Sequence, residues 1–134
     1  MLKKSIIWLE KNNIISLILA LLIAMIIFYL SSIPSSGYPR GLGILTKVYH
    51  ILIFFLISLL LIISIIKGKL ENKYYIFIAI LISMLYATSD EIHQSFVPGR
   101  TPAFTDVMID SIGILIAGIV YAIRIKFMPH LKLS

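Results

Sequence analysis

The run from Ile14 to Leu30, IISLILALLIAMIIFYL, carries no charge, and only Ser16 and Tyr29 bring a polar side-chain atom. Apolar residues cover every face of it rather than one stripe, which is the pattern of a helix surrounded by lipid or core. As a helix it would reach about 25 Å, close to the ~30 Å of a hydrocarbon core. Three further apolar runs follow, at Val48–Ile66 with one histidine, His50, at Tyr74–Ser89, and at Val107–Ile123 with one acid, Asp110. Tyr74, Tyr75 and Tyr121 near their ends suit the membrane interface. Backbone groups in lipid must be satisfied within a helix or a closed barrel, and four segments are too few to close a barrel. The sequence therefore predicts an all-α fold: a four-helix transmembrane bundle forming one domain over 1–134, with helices over 14–30, 48–66, 74–92 and 106–123.

Composition agrees. The 134 residues are 60% hydrophobic and 13% charged, against about 45–50% and about 25% in soluble domains. So short a chain could not hide that much apolar surface from water. The charge of +6 would suggest nucleic acid in a soluble protein. Here it reads as flanking charge that orients helices, so no nucleic-acid partner is expected and a multi-pass location in the cell membrane is. There are no cysteines, which excludes disulfides, a thiolate nucleophile and thiolate metal sites. The basic start ahead of an apolar run also describes a signal peptide. The run is longer than the usual ~7–15 apolar residues, and Ser31-Ser32-Ile33-Pro34 is a poor cleavage site, so the first helix is expected to be retained.

Orientation follows from the basic residues. Lys3, Lys4, Lys11, Lys67, Lys69, Lys73, Arg124, Lys126 and Lys132 fall on one side, and Arg40, Lys47 and Arg100 on the other. Nine against three places both termini in the cytoplasm and the first and third loops outside. Of those outer loops, 31–47 is rich in Ser, Pro and Gly and reads as irregular. Val97-Pro98-Gly99-Arg100 reads as a turn with Pro at the first central position and Gly, at positive φ, at the second.

Four of the six acids, Asp90, Glu91, Asp106 and Asp110, gather at this outer end, with His93, Gln94, Lys47, His50 and Arg100. On a continuing third helix Asp90, His93 and Gln94 share a face, while Glu91 is turned about 100° away. Asp106 and Asp110 are four apart, and Lys47 and His50 three apart. Simpler roles compete: Asp106 after Thr105 is placed to cap a helix, Asp90 and Glu91 to sit in headgroup water, His50 to join two helices, and Lys47 and Arg100 to anchor lipid phosphates. Asp110 lies about 6 Å deeper than Asp106, and an ionisable group inside a span defaults to function. His130, in the basic tail, is expected to do nothing specific.

The stretch Asp90-Glu91-Ile92-His93-Gln94-Ser95-Phe96-Val97-Pro98-Gly99-Arg100, followed by Asp106, Asp110 and Gly113, resembles the VanZ-like family, small integral membrane proteins of the teicoplanin-resistance VanZ type. Ser31-Ser32 with Pro34, and Lys47 with His50, match weaker family features. The chain departs from the family at Ile51 and Phe54, where Phe and Tyr are common, and at Asp110, where Asn is common. The resemblance implies a membrane protein connected with cell-envelope lipids or lipid-linked precursors. Two functions follow. In one, the protein modifies a phosphate-containing headgroup, with catalytic residues drawn from His50, Asp90, Glu91, His93 and Asp110. Lys47, Gln94, Arg100 and Asp106 would bind substrate, and a divalent metal on the carboxylates is possible in principle. In the other, the same residues form a satisfied network in a non-catalytic binder of an envelope lipid or partner. A transporter is less suited to four helices without an inverted repeat.

Overall fold

The computed structural model describes residues 2–34, 43–66 and 74–127. Arg40, Lys67, Lys69, Lys73, His130 and Lys132, and residues 35–42 of the irregular 31–47 loop, lie outside the described residues. The described chain is all-helical: α1 (Leu2–Lys11), α2 (Asn13–Ser31), α3 (Gly43–Ile66), α4 (Tyr74–Gln94) and α5 (Phe104–Phe127). The last four, of 19, 24, 21 and 24 residues, are long and apolar enough to cross a membrane. They alternate in direction. The end of α2, the start of α3, the end of α4 and the start of α5 therefore meet at one end of the bundle, the site end.

Three features differ from the sequence expectation. The predicted second helix begins at Gly43 rather than Val48, so Lys47 lies on helix and not in a loop. The predicted fourth begins at Phe104, two residues early, so Asp106 stands in its first turn rather than at its cap. The basic N-terminal tail is itself a helix. A turn at Asn12 separates α1 from α2: its backbone leaves helical geometry at φ −109° and ψ 54°, and its side-chain amide donates to the Trp8 carbonyl at 2.8 Å. Ser16 Oγ ties the same bend by donating to the Leu9 carbonyl at 3.0 Å.

The amphipathic α1 tucks Ile6 and Leu9 against the lower core and leaves Trp8 and Lys11 exposed. Its Glu10 is 4% exposed and accepts from Tyr121 Oη at 2.7 Å and Arg124 Nη2 at 2.8 Å, both on α5. A buried carboxylate needs such partners, because losing its water is costly. Sequence reasoning had no signal for this pairing across 111 residues, and it fixes α1 at the end opposite the site.

Small residues set the spacing of the spans. A Cβ on Gly113 of α5 would fall 2.2 Å from the Ile51 carbonyl oxygen and 3.0 Å from the Phe55 nitrogen of α3. Only hydrogen fits between the two backbones, as in close crossings of membrane helices. A Cβ on Gly118 would meet the Ile80 side chain of α4. The core divides accordingly, with Ala20, Ile27, Phe54, Ala87 and Ile114 nearer the site and Ile62, Ile63, Ala79, Ala117 and Tyr121 nearer α1. In the loop before α5, Gly99 has φ 76° and the Arg100 N–H donates to the Val97 carbonyl at 3.1 Å. This is the Pro-Gly turn the sequence indicated.

Two outcomes check this packing. Gly113→Ala meets backbone that cannot yield, and is expected to lower stability by about 1–3 kcal/mol; Gly118→Ala meets a flexible side chain and should cost less. Equal melting temperatures for the two variants in detergent would contradict the crossing. Glu10→Ala leaves the Arg124 guanidinium buried without its counter-charge and is expected to cost about 3–5 kcal/mol. Tyr121→Phe removes one hydrogen bond and is expected to cost about 1 kcal/mol. Thermal unfolding of the full chain reads both.

Candidate functional site

The Gly113 crossing lies one turn beyond Asp110, and Ile51 adjoins His50. The crossing thus brings the two side chains together: His50 Nδ1 is 2.9 Å from Asp110 Oδ1. Asp110 is 3% exposed and His50 19%. A carboxylate only accepts hydrogen bonds, so the proton of the neutral ring sits on Nδ1, and the Nε2 lone pair has no partner among the described residues. Phe54, fully buried, stacks on the His50 ring with centroids 6.3 Å apart, and Tyr49 meets it edge-on at 5.8 Å. Phe54 thus places a ring beside His50 and supplies no hydroxyl. The imidazole lines a cavity of about 220 Å³ shared with Gly43, Thr46, Lys47, Asp106 and Ile109. The cavity opens at the first turns of α3 and α5. The first turn of α3 brings no acidic residue, so its positive dipole end is free to act on an anion beside Lys47.

A second network joins α2 to α4. Ser31 Oγ donates to Asp90 Oδ2 at 2.9 Å. Gln94 Nε2 donates to the same oxygen at 2.9 Å, and at 3.4 Å to Ser31 Oγ. Arg100 donates through Nη1 to Gln94 Oε1 at 3.3 Å. Its Nε and Nη2 donate to the Ile33 and Leu30 carbonyls at 3.3 and 3.4 Å. Those carbonyls lie at and just past the end of α2, where a cation suits the helix dipole. Glu91, turned away from Asp90 as its spacing required, accepts the Ala103 N–H at 2.5 Å, just ahead of α5.

His93 goes elsewhere. Its Nε2 is 2.9 Å from Ser32 Oγ, and its ring stacks on Phe28 at 4.3 Å. The Ser32 hydroxyl spends its one hydrogen on the Phe28 carbonyl at 2.7 Å, so Nε2 is the donor and carries the proton. His50 therefore has a carboxylate partner and a cavity, whereas His93 has a serine and an aromatic face.

The predicted site residues thus come together at one end of the bundle but in separate groups. Lys47, His50, Asp106 and Asp110 lie between α3 and α5, and Asp90, Gln94 and Arg100 lie between α4 and the end of α2. Asp90 and Asp106 are within electrostatic range of His50, so the groups share one field. Asp90, Glu91, Asp106 and Asp110 were the carboxylates on which a divalent ion was possible in principle. Among the described residues, however, no three His, Asp or Glu side chains converge closely enough to hold one. Ser31 and Ser32 had appeared only as weak motif matches; their hydroxyls tie α2 to α4. Tyr86, which donates to the Ala24 carbonyl at 2.6 Å, had no sequence signal.

A model of the VanZ/LLP1 family matches residues 10–125. The chain belongs to the VanZ/LLP1 family. No curated protein and no solved structure matches it. The matched region runs from Glu10 to one residue beyond Arg124, so it takes in both polar groups of the site end and the buried charge pair at the other. With four helices able to cross a membrane, this VanZ/LLP1 protein is a multi-pass membrane protein.

The two histidines are predicted to be opposite tautomers. With ¹⁵N-labelled histidine and both rings neutral, His50 should carry its proton on Nδ1 and His93 on Nε2. The same tautomer at both positions would contradict the hydrogen bonds described.

Proposed function

We propose that this protein is a membrane enzyme acting on a phosphate-containing lipid headgroup or lipid-linked envelope precursor. The observation that carries this reading is the His50–Asp110 pair, 2.9 Å apart, opening on the cavity it shares with Lys47. An imidazole held through Nδ1 by a buried carboxylate presents Nε2 as a base and gains stabilisation when it becomes positive. Nε2 would take the proton of an attacking water or alcohol as its oxygen bonds to phosphorus. The bond from phosphorus to the headgroup or lipid oxygen breaks, and the same proton passes from His50 to that leaving oxygen. Lys47 and the positive end of α3 would hold the non-bridging phosphate oxygens. Asp106 borders the cavity, and Gln94 and Arg100 set the neighbouring wall. The nine-to-three distribution of basic residues favours an outward-facing site in the cell membrane.

His50 rather than His93 is assigned the base because His93 lacks a carboxylate partner. Glu91 holds the start of α5, which carries Asp106 and Asp110 into place.

The test incubates purified protein with a panel of phospholipids and polyprenyl phosphates, with and without Mg²⁺ or Mn²⁺, and follows headgroup turnover. His50→Gln is expected to lower turnover by about 10²–10⁴-fold with ligand binding nearly unchanged. Asp110→Asn keeps an acceptor for Nδ1–H but loses the charge, so its loss should be smaller than that of Asp110→Ala. No turnover of any substrate by the native chain would sink the enzyme reading. Loss of function that tracks affinity across these variants would favour a non-catalytic binder.

A further inference from the structure

At the end opposite the site, α1 presents a surface that the headgroup reading does not use. At about 100° per residue, Lys4, Trp8 and Lys11 fall within about 60° of one another, and all three are exposed. Ile6, Leu9 and Glu10 lie on the opposite side of the helix, and they dock it on the bundle. Trp8 keeps 53% of its surface exposed. The docking itself thus turns a basic and aromatic face away from the protein.

The fold also fixes the depth of that face. Ser16 Oγ reaches the Leu9 carbonyl, seven residues back, at 3.0 Å, whereas in one straight helix those positions are about 10 Å apart along the axis. So α1 leaves the axis of α2 instead of prolonging it. Glu10 ties it to Tyr121 and Arg124, in the last two turns of α5. It therefore lies at the ends of the spans, the level of lipid headgroups. Charge there is one-sided. Glu10 is buried and paired with Arg124, four other acids stand at the site end, and Glu71 lies outside the described residues. Lys126 of α5 is exposed as well. Among the described residues this end shows its surroundings three lysines, without ion-pair partners, and no exposed carboxylate.

We propose that the exposed face of α1 is a binding surface for anionic phospholipids. An indole suits the membrane interface. Lysine stems lie along apolar surface while their ammonium groups reach phosphate. A zwitterionic headgroup carries its own cation beside the phosphate, whereas an anionic one leaves its charge for the lysines. Each lysine near an anionic surface contributes about fivefold in affinity.

Trp8 is the only tryptophan of the chain, so its fluorescence reads this face directly. The test reconstitutes the full-length protein in vesicles of equal phosphatidylglycerol and phosphatidylcholine, with bromine as quencher on the tails of one lipid or the other. Brominated phosphatidylglycerol is expected to quench Trp8 more, corresponding to a relative binding constant of about fivefold or more. Replacing both lysines, Lys4→Gln with Lys11→Gln, keeps Trp8 and should bring that ratio close to one. Salt at about 1 M should lower it in the native chain, because charge is then screened within about 3 Å. Equal quenching by the two lipids in the native chain, or a preference that survives the double substitution, would overturn the inference. So would absence of quenching by either lipid, which would show that Trp8 faces something else. The native comparison decides even if the variant does not fold, and none of these outcomes touches the headgroup reading at the other end.

Discussion

The close crossing of α3 and α5 at Gly113 is the constraint on which the site depends. A Cβ there would overlap the Ile51 carbonyl, so glycine sets how near the two helices run. That nearness lets a histidine on one helix reach a carboxylate on the other, and the same crossing opens the cavity between their first turns. Packing and chemistry are coupled through one hydrogen atom. In lipid, where helices gain little from hydrophobic attraction to one another, close backbone approach and buried hydrogen bonds carry the association.

The few ionisable groups serve two ends of the bundle in different ways. At the α1 end, Glu10, Tyr121 and Arg124 form a compact, charge-compensated knot that holds an amphipathic helix against α5. At the site end, charge is spread over two networks with an open cavity in one and a bare oxygen in the other. Each end leaves a buried polar atom without a partner among the described residues, Arg124 Nη1 at the α1 end and Asp90 Oδ1 at the other, so what distinguishes the site end is the cavity lined by His50 and Lys47.

Much of this was legible in the chain before folding. Apolar runs near bilayer length indicated the spans, because lipid leaves so few segments no alternative to helix. The acids, two histidines and their helical spacing indicated which end to look at, and Gly113 was visible as a close-packing position. Three things were less visible. The tail at 2–11 looked like orienting charge, since a ten-residue helix is stable only when its apolar face docks. Arg100 was read as a phosphate ligand with no sign that three of its nitrogens also tie the end of α2 to Gln94. Asp90 and His93, three apart on one face, reach different partners on α2, because Ser31 and Ser32 point their hydroxyls to different places.

By itself the sequence determined the solvent, the number of spans and the end where ionisable groups collect, since these follow from hydropathy and spacing along one helix. Only the tertiary structure decided which histidine meets a carboxylate and which carboxylate oxygen is left over. Both depend on pairings across 59 and 60 residues, and such pairings are set by how closely two helices can approach, a property that neither helix carries alone.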